Sequence, residues 1–201
     1  MNRRLLIILG VVLALFCVCT GGVTALALRS SNEKEATQTA SAQFVEPLKA
    51  LCTGQSTGVT GAGAYAAGPG VHPVMVFRTL NAANYNRDTR VGTGDWSPGN
   101  LAATQLVACT DDSSATVEQC PYTSKTTGST STLYRYQNQV KIRLISAKSG
   151  QVVATATLMG TEPRECMETE TFTAGATTMS VSGEAVTPSQ IQAWLKTYVA
   201  P

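Results

Sequence analysis

Apolar and polar residues alternate along this chain in three different ways, and each predicts a different kind of element. Leu5 to Leu28 is an uncharged run of 24 mostly apolar residues, preceded by Arg3-Arg4 and followed by Arg29. About 20 such residues cross the hydrocarbon core of a bilayer, because only an internally hydrogen-bonded helix can leave water there. The paired arginines hold the N-terminus in the cytoplasm, so residues from about 30 onward lie outside it. From Thr132 to Ile145 the period drops to two. Tyr134, Tyr136, Val140, Ile142 and Leu144 alternate with Arg135, Gln137, Gln139, Lys141 and Arg143, and Asn138 alone breaks the apolar face. That pattern predicts a strand with one buried and one wet face. Lys148-Ser149-Gly150 turns the chain, and Gln151 to Met159 returns as the partner of a long hairpin. Near the C-terminus the spacing becomes helical: Ile191, Trp194, Leu195, Tyr198 and Val199 form one apolar stripe. Thr187, Pro188 and Gln190 mark its start as N-cap, first helical residue and capping-box partner.

Weaker signals fill the rest. Residues 29–43 are a polar linker, and Phe44, Val45, Leu48 and Leu51 predict a short helix over about 39–51. Thr53 to Gly70 is a glycine-rich loop, and residues 74–78 read as a buried strand. Leu80 to Asn100 carries no period and many turn formers, which predicts a long surface loop. Leu101–Cys109 and Val117–Tyr122 are expected to form a hairpin, with Asp111-Asp112-Ser113-Ser114 as its turn. Thr171–Phe172 and Thr177–Val181 are minor strand candidates. The expected architecture is therefore α+β: residues 1–28 as a transmembrane signal-anchor, then one extracytoplasmic domain over 44–201. Its antiparallel sheet carries the helices at about 39–51 and 188–199 on one face.

A cleaved signal peptide is the alternative for the first segment. Asn2-Arg3-Arg4 would be its basic region, Leu5–Val18 its apolar region and Ala25-Leu26-Ala27 the cleavage site. The apolar run resumes from Val23 to Leu28, which favours an uncleaved span. Lipidation at Cys17 or Cys19 lacks the small residue expected just before the modified cysteine.

Charge changes the picture by its scarcity. Without Arg3 and Arg4, the fifteen basic residues fall to thirteen, matching the thirteen acidic ones. There is no basic stripe, and nucleic acid binding is not expected. Charged residues are 14% of the chain, so hydroxyl, amide and glycine residues must cover most of the surface. Cys17 and Cys19 lie within the apolar run, whereas Cys52, Cys109, Cys120 and Cys166 lie outside it. An even number in an oxidising compartment predicts two disulfides. Folding the chain about Ser114 sets Cys109 opposite Cys120, which leaves Cys52 to pair with Cys166. No C-x-x-C motif supports zinc.

Catalytic chemistry is thinly represented. His72, the single histidine, precedes Pro73 at a strand entrance, and no serine lies in a G-x-S-x-G elbow. With the cysteines oxidised, a thiolate nucleophile is excluded. Glu162, Glu165, Glu168 and Glu170 cluster in a loop without a calcium-binding pattern, and Gly61-Ala62-Gly63 extends to no phosphate-binding motif. The loop from Leu80 to Asn100 is richer, gathering Tyr85, Arg87, Arg90 and Trp96 with Asp88 and Asp95. Aromatic and arginine side chains dominate contact sites, so those four residues are the expected binding surface. Trp96 tucked inward to pin the loop is the competing reading.

The hairpin and the Pro163-Arg164-Glu165-Cys166 stretch resemble parts of bacterial envelope proteins, a resemblance that implies no activity. The function expected from all this is a membrane-anchored binding or assembly module of the cell envelope, not an enzyme, without metal or cofactor. A tethered or secreted hydrolase and a ligand-free spacer domain are the alternatives.

Overall fold

The fold is organised by one long antiparallel ladder. The computed structural model describes residues 44–81 and 84–201. The expected membrane span over Leu5–Leu28, the linker and the first residues of the expected helix over 39–51 lie outside them. Among the described residues, no helix is long and apolar enough to cross a membrane. Helix α1 covers 44–52. Strands β1 (Val74–Asn81), β2 (Asn84–Arg87), β3 (Leu106–Thr123), β4 (Thr130–Ser146), β5 (Val152–Met159) and β6 (Thr178–Ser182) follow, and helix α2 spans Pro188–Val199. A short 3-10 turn at Gly94–Trp96 interrupts the connection from β2 to β3.

The strand order is β2-β1-β3-β4-β5, with β6 also on β4, at the end of that strand which β5 leaves uncovered. The sheet is mixed, which corrects the expectation of an antiparallel one: β1 runs parallel to β3, and β6 parallel to β4. Both parallel pairs are joined by long connections, as parallel neighbours require.

β3 holds the largest departure from expectation. It runs continuously for 18 residues through Asp111-Asp112-Ser113-Ser114, where a turn was expected. Every residue from Leu106 to Thr116 faces a partner on β4, and a bulge at Val117 resets the register as far as Thr123↔Thr130. The aspartates do not bond their own backbone as they would in a turn. Asp111 accepts hydrogen bonds from Thr79 and Tyr85, and Asp112 pairs with Arg78. Tertiary partners thereby override local turn preference. The real hairpin turn is Ser124–Ser129, closed by Ser124 N–H donating to Ser129 O at 2.8 Å.

The straight strand also re-pairs the cysteines. Cys109 and Cys120 stand eleven residues apart on one strand, about 37 Å at 3.4 Å per residue, far beyond disulfide reach. The bridges are Cys52–Cys109 and Cys120–Cys166, with Cα separations of 5.4 and 6.0 Å. The expected Cys109–Cys120 and Cys52–Cys166 pairs are therefore both corrected.

The two sheet faces are covered by different elements. Val74, Val76, Leu106, Ala108, Val140, Ile142 and Leu144 form a core with Ile191, Leu195 and Val199 of α2. Alternation sends Cys109 to the opposite face, where the Cys52 bridge and an Arg143 Nη2 bond to Cys52 O at 2.7 Å attach α1. The helices thus lie on opposite faces, not on one face as expected. Further along the α1-side face, Leu133 and Arg135 are buried. Arg135, expected on the wet side, donates to the carbonyls of Pro163 and Arg164 and pairs with Glu118. Segment 160–177, tied down by Cys166, is what covers it. Thr171–Phe172 forms no strand; Phe172 packs on Tyr122 with ring centroids 5.7 Å apart.

Helix α2 begins as the sequence predicts. Thr187 and Gln190 form a reciprocal capping box, and Pro188 occupies the first turn. Gly58 and Gly150 mark a close backbone approach: a Cβ on Gly58 would lie 2.5 Å from Lys148 O, and one on Gly150 would strike Thr57 O.

Two disulfides that enclose 57 and 46 residues make similar demands on the unfolded chain. Removing either pair, as Cys52→Ala with Cys109→Ala or Cys120→Ala with Cys166→Ala, should cost about 4 kcal/mol in the chain-entropy model. Denaturant titration of both variants checks this, and non-reducing peptide mapping of the unaltered protein should recover the Cys52–Cys109 link.

Candidate functional site

The four residues expected to form the binding surface do not share one environment. Tyr85 is buried at 6% exposure. It sits on β2 opposite Thr79 of β1, and its hydroxyl donates to Asp111 Oδ1 at 2.5 Å. Thr79 Oγ1 donates to the same oxygen and approaches Thr110 O at 3.1 Å. Burial, and then the bond to Asp111, push the Tyr85 phenol above its ordinary pKa. This residue anchors β2 to the sheet; it is not on the contact surface.

Arg87 and Arg90 are exposed, as expected. Arg87 Nη2 donates to Ser97 Oγ at 3.2 Å across the loop. Arg90 grips Asp88 with two side-chain bonds, Nε to Oδ1 at 2.9 Å and Nη2 to Oδ2 at 2.7 Å, and its backbone N–H adds a third at 3.0 Å. The Asp88 side chain is 4% exposed, while Arg90 is half in solvent. The bond from Arg90 holds the Asp88 carboxyl below the usual carboxylate range, against the opposing effect of burial. Trp96 is half-buried and packs on the α2-side core, so it pins the loop.

The expectation of one long surface loop over Leu80–Asn100 is also corrected. Its first part is the end of β1 and the whole of β2, with Thr79↔Tyr85 and Phe77↔Arg87 in register. What remains, from Asp88 to Ser97, folds over β1 and borders a half-open cavity of about 300 Å³. Arg87, Asp88, Thr93 and Ser97 supply its polar lining, and Val74 and Val76 its apolar wall. Gly92 and Gly94 have φ of 70° and 63°, a backbone conformation that permits the tight path round the cavity.

A second recess lies on the sheet face between α1 and segment 160–177. It is an open groove of about 650 Å³ lined by Asp111, Lys141, Arg143, Thr155 and Thr157. Those residues fall on two adjacent registers, Asp111↔Lys141↔Thr157 and Cys109↔Arg143↔Thr155. The sequence placed Lys141 and Arg143 on the wet face correctly, but nothing in it linked them to Asp111. Consecutive aspartates within a β-prone stretch were the available signal, because in a strand they demand cationic or hydroxyl partners from a neighbour.

His72 is buried, with Nε2 at 2.9 Å from Gly68 O and Nδ1 at 2.9 Å from Gln105 Oε1. Tyr65 stacks edge-on at 5.1 Å. Both ring nitrogens are thus engaged, one by the loop at Gly68 and one by Gln105 beside the entrance of β3. Glu118, Cys120 and Cys166 are the one grouping of metal-ligand types among the described residues. Both sulfurs are joined to each other, and Glu118 is held by Arg135, so the donor set does not suit a metal.

No protein-family model, curated protein or solved structure matches this chain.

Asp88 offers a pH test of the loop. Its depressed carboxyl stabilises the fold above the unfolded carboxylate pKa of about 4, and that contribution is lost as pH falls through the lower folded value. Asp88→Asn should therefore destabilise by about 1–2 kcal/mol at pH 7, since Arg90 is partly screened. The difference from the unaltered protein should shrink as pH falls below about 4, which urea titrations at neutral and acid pH will read. Tyr85→Ala should lower the melting temperature clearly, costing about 3 kcal/mol or more. A site residue acting only by surface contact would leave it unmoved.

Proposed function

We propose that the chain is an extracytoplasmic binding or assembly module of the bacterial cell envelope, anchored by its apolar segment at residues 5–28. In this reading it works by contact through the Asp88–Ser97 loop. The observation that carries it is the layering of that loop. Tyr85 and Asp88 are buried and hold the segment, while Arg87 and Arg90 stand exposed and Arg87 lines the cavity. A rim held in place before contact loses little freedom on binding, and arginine combines stem area with directional donors. Two disulfides are consistent with maturation in an oxidising compartment, where an extracytoplasmic or secreted domain resides.

The engagement of polar groups supports contact over hydrolysis. Asp88, Asp112, Glu118 and Glu170 each pair with an arginine, and Asp111 accepts two hydroxyls. A general acid or base needs a carboxyl poised toward substrate, whereas these are committed to structure.

Two measurements test this proposal. The protein should stay with membranes through alkaline washing, with its N-terminus intact; a mature chain beginning at Leu28 would make it a secreted domain. Crosslinking on whole cells should capture a partner. Arg87→Ala should reduce that capture about fivefold, equivalent to about 1 kcal/mol, with no change in melting temperature. Absence of any adduct would favour a spacer domain.

A further inference from the structure

The sheet protects its edges unequally. β2 closes one side with four residues and ends on Arg87. β3 beyond Thr110, which β1 no longer covers, carries Asp112, Glu118, Pro121 and a bulge. Charges, proline, bulges and shortness are how soluble sheets discourage further pairing. β5, at the other side, is Val-Val-Ala-Thr-Ala-Thr-Leu-Met: eight residues without charge or proline. Its one bulge lies at the start, between Val152 and Ala154, and leaves Ala154–Met159 regular. Among the described residues β5 pairs with β4 and with no second strand. Val152 and Met159, at its two ends, are 55% and 40% exposed.

The flank of α2 beside this edge is also unfinished. Gln190 Nε2 reaches Met159 O, and Tyr198 shares an apolar groove with Val153. Trp194 falls between them at i+4 spacing, so a Gln190–Trp194–Tyr198 stripe follows β5. Trp194 and Tyr198 pack on one another at 5.1 Å and remain only partly buried.

We propose that the β5 edge is a homodimer seam, where a second copy of this chain adds its own β5 antiparallel to the first. The charge pattern selects that occupant. An uncharged strand meets its own copy without like-charge repulsion, whereas nothing along it offers a charged partner a counter-ion. Symmetry then fixes the consequence. A two-fold axis relating antiparallel edge strands stands perpendicular to the sheet. Both α2 helices therefore lie on the same face, and their Trp194 and Tyr198 side chains close over the seam. Paired residues of neighbouring strands share a face, so the axis passes midway between a residue and its own copy, such as Ala156, which would set Thr155 against the second copy's Thr157.

Light scattering of the full chain in detergent should give a two-chain protein mass. Thr155 and Thr157 are exposed on the far side from α2, so Thr155→Lys with Thr157→Lys should leave the melting transition cooperative while reducing the mass to one chain. Thr155→Glu with Thr157→Glu should do the same. Mixing the Lys and Glu variants should restore the two-chain species, since opposite charges then face each other across the seam. A single-chain mass for the unaltered protein would overturn the proposal, whether or not the edge takes a foreign peptide. A two-chain mass that the Lys variant retains would also overturn it, by placing the seam elsewhere.

Discussion

Everything in this domain hangs from the pairing of β3 with β4. The ladder runs from Leu106↔Ser146 to Thr123↔Thr130, and every other strand, directly or through β1, attaches to one of its two members. Because side chains alternate, this one register decides both faces at once. A slip of one residue would either send Cys109 away from Cys52 or exchange Ile142 and Leu144 with Lys141 and Arg143. The bulge at Val117 keeps the outer half consistent: Cys120 returns to the face of Cys109, opposite Leu133. Each cysteine of β3 then ties down a separate cover, helix 44–52 at one end and segment 160–177 at the other.

The same ladder positions the candidate site through a single carboxylate. Asp111 lies on β3 just past the last register shared with β1, where a bare backbone would be left. By accepting from Thr79 and Tyr85 it extends the connection to β1 and captures β2. β2 is too short to be stable as an isolated strand. Its attachment depends on a buried aromatic ring and one charge-assisted bond, and the loop that follows inherits its position from them. The exposed residues and those that hold them therefore lie two positions apart along the chain: Tyr85 within and Arg87 without, then Asp88 within and Arg90 without.

How much could be read in advance follows from which interactions were local. The capping box at Thr187 and Gln190 lies within one turn, and the period-two run over β4 lies within one strand, so both were legible. The β3 turn expectation failed because Asp-Asp-Ser-Ser has the chemistry of a turn in isolation; only Arg78, Thr79 and Tyr85, more than 25 residues away, make it a strand. The disulfide error followed directly, since the pairing had been built on that turn. Arg135 was misplaced for a similar reason. A period of two separates the faces of a strand but does not say how far each cover extends, and here segment 160–177 buries an arginine under its carbonyls. In the candidate site, exposure of Arg87 and Arg90 was legible from loop composition, whereas burial of Tyr85 was not. Asn-Tyr-Asn-Arg has no pattern long enough to show a strand.

Low charge ties these features to the behaviour of the surface. Of the described cations, Lys49, Arg78, Arg90, Arg135 and Arg164 are paired with acids, and Arg87 and Arg143 bond neutral oxygens of the chain itself. The lysines Lys125, Lys141, Lys148 and Lys196 remain exposed, and all lie off β5. Hydration of this exterior therefore rests on threonine and serine hydroxyls more than on ions. Hydroxyl-bearing strands are solvated well enough to stay apart at low concentration, but they erect no long-range electrostatic barrier. Tethering at a membrane would confine such domains to two dimensions and raise the frequency with which edges meet. An exterior of this kind leaves strand geometry, more than charge, to decide which surfaces associate.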